Sequence, residues 1–395
     1  MQGQETGVDD DAGADAAPLA GITVIEIGHS IAAPFAGSIL SQLGASVFKV
    51  EHPNGGDPAR GWGPPFAGQT AIAFEAYNHG KASIAADLKD QTQRAALRRY
   101  ILDHADVVIQ NLKPGSIESL GLDAETLRAS KPDLIYANIS AFGTFGPLRG
   151  KPGYDPLMQA YAGLMSITGD DPQSPVRIGV SVVDMGAGMW SVIGILCALL
   201  TRARTKRGGA IDTSLYETAL AWMSLPLAIH LASGEPPKRF GSGVGQIVPY
   251  QAFATSDGHL MVAAGTDSLF RRLAEALGHP EWAEDERFRA NRDRVVNRDA
   301  IVALVEARTA LSSSRDLAAE LDRAGVPNAP LRDAAAVIAD EQTQASGMIR
   351  AVSEELRLVG LPISIDGERP SPVRPAPSLG VDTARMRKEG PPDGR

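Results

Sequence analysis

Residues 22–27 (ITVIEI) form a short, mostly apolar run, followed by a Gly28-His29-Ser30 turn and a stretch of small residues reaching Leu43. Residues 46–50 (SVFKV) make a second such run after Gly44. Strand, turn, helix and strand in that order predict a βαβ unit of a parallel sheet, joined by a right-handed crossover. The alternation continues with a helix over 91–103, a strand over 106–110 (DVVIQ), a helix near 124–130 and a strand over 134–139 (LIYANI). A further strand at 210–213 precedes an apolar helix over 216–231. The fold class expected is α/β, a Rossmann-like parallel sheet in a large domain.

Beyond it the pattern changes. Residues 234–249 (GEPPKRFGSGVGQIVP) are rich in glycine and proline and read as a boundary carrying a loop. Residues 251–255 and 258–264, around Ser256-Asp257-Gly258, predict a hairpin, and amphipathic helical patterns fill 269–324. These imply a smaller α+β domain. The expected division is an acidic disordered tail at 1–17, a large domain at 18–225, a small one at 226–325 and a C-terminal return to the large domain at 326–395. Within that return, 361–378 is Pro-rich and extended.

Composition narrows the classes. A chain of 395 residues has room for two domains, and 44% hydrophobic with 22% charged residues is ordinary for a soluble globular protein. The net charge of −9 argues against nucleic acid or an anionic membrane surface as partner. Asp9, Asp10, Asp11 and Asp15 sit in a start without a basic or apolar stretch, so no signal peptide is expected. The longest apolar run, 189–200, falls short of the roughly 20 residues a membrane span needs, and a buried helix is expected there instead. The single cysteine, Cys197, lies in that run and is expected to be buried. It excludes a disulfide within the chain, makes zinc–thiolate ligation unfavoured and fits a reducing cytoplasm.

Among chemistry-bearing residues Asp184 stands out, in Val182-Val183-Asp184-Met185-Gly186-Ala187-Gly188 just ahead of the apolar helix. A helix N-terminus stabilises an anion, which predicts an ionised carboxylate, and Gly186 and Gly188 leave room for a ligand to approach the backbone. The plainer reading is an N-cap aspartate. Asp155, in Gly153-Tyr154-Asp155-Pro156, reads as a turn residue bonding its own backbone, or, paired with Asp184 in one cleft, as a group that tunes the nucleophile, by raising one carboxyl pKa, or holds an acceptor. The loop of Gly241, Ser242, Gly243, Val244 and Gly245 lacks the ending of a phosphate loop. It is either a linker or a lid that keeps water from a reactive intermediate. The seven histidines show no metal spacing, so no metal site is expected. His29 is the exception by position, since it follows the first strand, where open parallel sheets bind ligands; a satisfied turn histidine is the alternative reading.

Taken together, the chain resembles the class III CoA-transferases, the family of formyl-CoA transferase and the 2-methylacyl-CoA racemases. The resemblance runs from Pro18 to about Thr383. It is carried by Pro18-Leu19-Ala20-Gly21, Leu43-Gly44-Ala45 through Val50-Glu51, Gly56-Asp57-Pro58-Ala59-Arg60, Asn111-Leu112-Lys113-Pro114-Gly115, Gly153-Tyr154-Asp155 with Gln159-Ala160, Asp184 with its glycines, and Pro249-Tyr250-Gln251-Ala252-Phe253.

The resemblance implies Asp184 as nucleophile and Asp155 as an acidic neighbour. It implies CoA contacts at His29, Ile31, Ala32, His52, Ala86, Asp87, Leu88, Lys89, Asn111, Leu112, Lys113 and Ser119, with Lys89 and Lys113 facing the phosphates. Ile31 stands where formyl-CoA transferase has glutamine, and His52 and Ser119 stand where it has arginines, which points to a less polar acid than formate or oxalate. The resemblance further implies an interlocked homodimer, acyl-CoA and a carboxylic acid as substrates, and no permanently bound cofactor.

The chemistry implied is acyl transfer to Asp184 as a mixed anhydride, conversion to an enzyme–CoA thioester, and return of CoA to the acceptor acid. Backbone N–H groups near Gly186 are the expected oxyanion donors. Two rivals stand beside it. A 2-methylacyl-CoA racemase or epimerase of the same fold needs a histidine where Tyr154 lies, and tyrosine is a poor base at neutral pH. A non-catalytic CoA-binding protein would have no use for Asp184.

Overall fold

The apolar runs of the first half are buried on both faces once helices cover them, so they pair as one parallel sheet. In the computed structural model, which describes residues 17–370 and 374–388, its strands are β1 (Thr23–Ile27), β2 (Ser46–Glu51), β3 (Ala82–Ala85), β4 (Val107–Gln110), β5 (Ile135–Ser140) and β6 (Ala210–Ser214). They lie in the order β3-β2-β1-β4-β5-β6, with every pairing parallel. Strand order reverses between β1 and β4, and a doubly wound sheet opens its binding crevice at the carboxyl ends of such a pair. The short strand β3 (ASIA) was not anticipated. The tail 1–17 lies, Ala17 apart, outside the described residues.

Helix α1 (Ala32–Gln42) follows β1, and α2 (Gln91–His104) starts where the Asp90 carboxylate accepts the N–H groups of Thr92 and Gln93. Ile25, Ile27, Phe48, Val50 and Ile84 of the sheet share a core with Leu97, Tyr100 and Ile101 of α2. Helix α3 (Ala124–Ser130) precedes β5, and α4 (Asp155–Tyr161) and α5 (Val182–Thr205) lie between β5 and β6. The edge of β3 is covered by the C-terminal segment, where Asp382 and Thr383 accept the N–H groups of Ser83 and Ala85.

Packing divides the chain into two units. Unit 1 takes residues up to Ala162, Ile178–Ser224 and those from Gln344 onward, while unit 2 takes Gly163–Arg177 and Leu225–Thr343. These limits differ from the expected 225/226 and 325/326. One reason is that Asn328–Pro330 adds a strand to the hairpin Tyr250–Ala254 and His259–Ala263, giving a three-stranded antiparallel sheet. Unit 2 has its own core, including Phe253, Leu260, Phe270, Phe288 and Val305.

Two sequence expectations need correction. The apolar helix over 216–231 is two helices, α6 (Leu215–Trp222) and α7 (Ser224–Ser233), because Pro226 has no N–H to give the Trp222 carbonyl and its ring crowds that position. Helix α5 is not wholly buried. Val183, Gly186, Ala187, Gly188, Ser191, Val192 and Ile195 face inward, but Met189, Trp190, Ile193, Cys197 and Leu200 are exposed. Its length and mean hydropathy of 1.8 would suffice to cross a membrane, yet its inner face packs as a core helix on α1 and the sheet. Two-sided apolarity in the sequence predicts burial, whereas one side of this helix faces out.

Candidate active site

Asp155 and Asp184 meet at the start of α5. Asp155 is the first residue of α4, ahead of Pro156, and is 2% exposed. One of its carboxylate oxygens accepts the backbone N–H groups of Val183 at 2.8 Å and Asp184 at 3.3 Å. The other accepts the Gln159 side-chain amide at 2.6 Å, and Gln159 accepts the Ile178 N–H in turn. Asp155 is therefore not a turn residue bonding its own backbone. It caps a neighbouring helix.

This arrangement reverses the expectation for Asp184, which sits in the first turn of α5. Burial, and after it the nearby Asp155 charge, push its carboxyl up to about 7. The helix N-terminus does not hold Asp184 ionised, since the N–H groups that would do so are taken by Asp155. A carboxyl titrating near neutrality gives a more basic, better nucleophile than an ordinary aspartate while still being substantially ionised at neutral pH.

Nor do the glycines admit a ligand. A Cβ on Gly188 would lie 2.8 Å from the Ala32 carbonyl oxygen, and one on Gly186 would meet Thr218 at 2.7 Å and Trp222 at 2.8 Å. They allow α1 and α6 to pack closely on α5. Gly186 lies inside the helix, where its N–H joins the i to i−4 ladder, so it is no oxyanion donor.

Two of the cavities in unit 1 adjoin the carboxyl ends of β1 and β4. One of about 280 Å³ is lined by Asp184, His29, Ile31, Ala32, Asn111, Leu112, Lys113 and Tyr154. The other, about 490 Å³, is lined by His29, His52, Ala86, Asp87, Leu88, Lys89, Leu112 and Ser119. His29 and Leu112 line both, so the cavities adjoin at the crevice between β1 and β4. Every CoA-contact position expected from the sequence lines one cavity or the other. Lys89 and Lys113 are exposed, and His52 lies 3.8 Å from Asp87.

The turn at this junction is held from three sides, by Asn111, expected as a CoA contact, and by Asp57 and Lys49, for which the sequence suggests no part in the site. The Asn111 side chain accepts the His29 N–H at 3.0 Å and donates to the His29 carbonyl at 2.9 Å. Asp57 accepts the N–H of Ser30, whose φ is +68°. Lys49 donates to the Gly28 carbonyl at 2.9 Å. Lys49 also pairs with Glu26 at 2.8 Å and Asp57 at 2.9 Å, and Glu26 pairs with Lys81 at 2.6 Å. A charged residue inside each of the runs ITVIEI and SVFKV was the available signal. Lys151 in the smaller cavity was also passed over.

The glycine loop belongs to unit 2. Gly241 has a φ of +60°, Ser242 accepts the Ala252 N–H, and Arg298 donates to the carbonyls of Val244 and Gly245 at 2.8 Å each. The side of Gly245 faces the Phe240 ring, and Gly243 approaches the Tyr250 carbonyl. Among the described residues no three His, Cys, Asp or Glu side chains are grouped to hold a metal.

Residues 19–383 match the model of CoA-transferase family III. The chain is 38% identical to the succinate–glutarate CoA-transferase of Agrobacterium fabrum, over 94% of this chain and 95% of that one. It is 36% identical to the acetyl-CoA:oxalate CoA-transferase of Acetobacter aceti, with the same coverage. A solved CAIB/BAIF family protein from Brucella suis superposes with a TM-score of 0.83 at 40% identity, covering 93% of this chain and 98% of that one.

Proposed function

The chain belongs to CoA-transferase family III, and from that premise we propose that its CoA transfer runs through Asp184, with a short dicarboxylic acid as acceptor. The observation that carries this reading is the Asp184 carboxyl, titrating near neutrality on the wall of a cavity that adjoins a larger one at His29 and Leu112. The larger cavity suits the nucleotide end of CoA, and the pantetheine arm would cross the junction toward Asp184.

In the proposed sequence the Asp184 carboxylate attacks the donor thioester carbonyl, forming a C–O bond and expelling the CoA thiolate. The thiolate then attacks the aspartyl carbonyl, giving an enzyme–CoA thioester and free donor acid. The acceptor carboxylate displaces CoA as a new mixed anhydride, and the thiolate returns to make the new acyl-CoA. No step consumes ATP or needs a metal. Asp155 keeps Asp184 basic and in place.

Relatives named for succinate and glutarate favour a dicarboxylic acceptor. Lys113 and Lys151 in the smaller cavity supply countercharge for a distal carboxylate. Ile31 beside them suits the methylenes of a succinate- or glutarate-length acid better than oxalate. The exposed apolar face of α5, with Met189, Trp190, Ile193 and Leu200, supports a homodimer that covers it.

Incubation with succinyl-CoA and hydroxylamine tests the pathway. An aspartyl hydroxamate located at Asp184 by peptide mass is the expected result. A hydroxamate elsewhere, or none despite turnover, would overturn it.

A further inference from the structure

We propose that His29 is a further catalytic residue, whose imidazole Nε2–H hydrogen-bonds the CoA sulfur as it leaves and returns as a thiolate. This role deepens the CoA-transfer reading and rests on it.

Three observations converge on His29. It is one of the residues lining both cavities, and so stands where a sulfur joined to CoA on one side and to the acyl group on the other must pass. Its backbone is fixed at both polar atoms by Asn111, and the next residue by Asp57. A side chain with only a solvent role would not need a turn gripped this way, in a left-handed conformation at a non-glycine residue. Finally, its Nδ1 lies 3.1 Å from the Ser30 hydroxyl. With that hydroxyl donating to Nδ1, the ring proton resides on Nε2.

The chemistry needs such a donor. When the C–S bond breaks, the electron pair goes to sulfur, and a thiolate seated where the two cavities adjoin exchanges part of its hydration for protein contacts. An N–H hydrogen bond stabilises it without giving up a proton, so the thiolate remains a nucleophile for its return. Burial lowers the His29 pKa, with Lys49 adding to the effect and Asp57 opposing it. The ring is therefore neutral at neutral pH, a hydrogen-bond donor and not an acid that would quench the sulfur. Asp184 approaches the same acyl carbon from its own cavity and needs no contact with His29.

The test exploits the two ways an amide can replace imidazole. Glutamine places its N–H near Nε2, whereas asparagine reaches only the position of Nδ1, and both are polar enough to keep the turn. In the Asp184→Asn background, which prevents turnover, the thiol of bound CoA is titrated by the ultraviolet absorbance of its thiolate. With His29 or His29→Gln it should ionise about one pH unit lower than with His29→Asn, since hydrogen bonding to the charged form favours it. In the Asp184 enzyme, His29→Asn should lower kcat by about 10- to 100-fold, the loss of one hydrogen bond to a charge, with CoA affinity within about threefold. Equal thiol titration in all three proteins, with CoA bound equally well, would overturn the role. Failure of the Asp184→Asn protein to bind CoA at all would sink the transfer reading itself, and the role with it.

Discussion

Two buried groups of ionisable side chains lie in unit 1, and they are built on opposite terms. Around β1 and β2, Lys49 and Lys81 face Glu26 and Asp57, all at most 4% exposed, as two positive charges against two negative. Burial alone would depress Lys49 and raise Asp57, but the attraction of Lys49 to Glu26 and Asp57 outweighs it and both shift toward the charged form. Burial lowers Lys81 to about 8, with Glu26 opposing and Lys49 adding to it. At the start of α5, Asp155 and Asp184 are two carboxyls with no cationic partner among the described residues, and there burial and repulsion push Asp184 up to about 7. A balanced cluster can be rigid and inert. An unbalanced one stores unfavourable energy that a reaction can use, which is why strongly shifted groups gather where chemistry happens.

Emptying the unbalanced site should have the largest effect. Asp184→Asn keeps the shape and removes the nucleophile, so steady-state transfer should fall by roughly 10³-fold or more, with CoA affinity within a few fold. Retained turnover would remove Asp184 from the mechanism. Unbalancing the other cluster comes next. Glu26→Gln leaves two buried ammonium groups with only Asp57 between them, and breaking a buried pair this way costs about 3–5 kcal/mol. Urea unfolding should show that loss. A change under about 1 kcal/mol would mean that the Gly28, Pro34 and Asn78 oxygens around the lysines already suffice.

How much of this contrast was legible in the chain depends on sequence distance. Asp184 could be singled out because its signal is local, an aspartate entering an apolar helix. Its ionisation was misjudged because the helix N–H groups go to Asp155, which is 29 positions away. The glycines after it were visible but their purpose was not, since Ala32, Phe35 and Trp222 meet them only in the fold. The alternation of strands and helices was readable because each element carries its own period, while β3 is too short to show one. The balanced cluster joins residues 23 and 55 positions apart, and the clamp on His29 spans 82. Strand order alone brings those together.

The same substitution at Asp184 should raise stability as it abolishes activity. The native carboxyl titrates near 7 against 3.8 for an ordinary aspartate. Its stabilising contribution is therefore full below about pH 4 and is lost as pH rises through 7, because ionisation then penalises the native state. Asparagine has no such penalty. Thermal unfolding of Asp184→Asn and wild type should nearly coincide near pH 4 and diverge toward about pH 8, by on the order of 2–4 kcal/mol before cavity water moderates it. Curves that stay parallel across that range would show the carboxyl to be unperturbed.

The subtlest change separates the two causes of the Asp184 shift. Asp155→Asn removes the neighbouring charge and leaves burial, which is the larger cause. The activity of wild type should fall on the acid side through about pH 7, where the nucleophile protonates. In the variant that limb should move down by up to about one pH unit. Plateau kcat should drop only modestly, because a less basic carboxylate is a weaker nucleophile. Stability should fall by about 1 kcal/mol, since the amide caps the Val183 and Asp184 N–H groups less well than a carboxylate. A limb that stays in place would assign the shift to burial alone, and one that moves upward would mean that Asp155 acts on Asp184 through hydrogen bonds to the helix start and not through its charge.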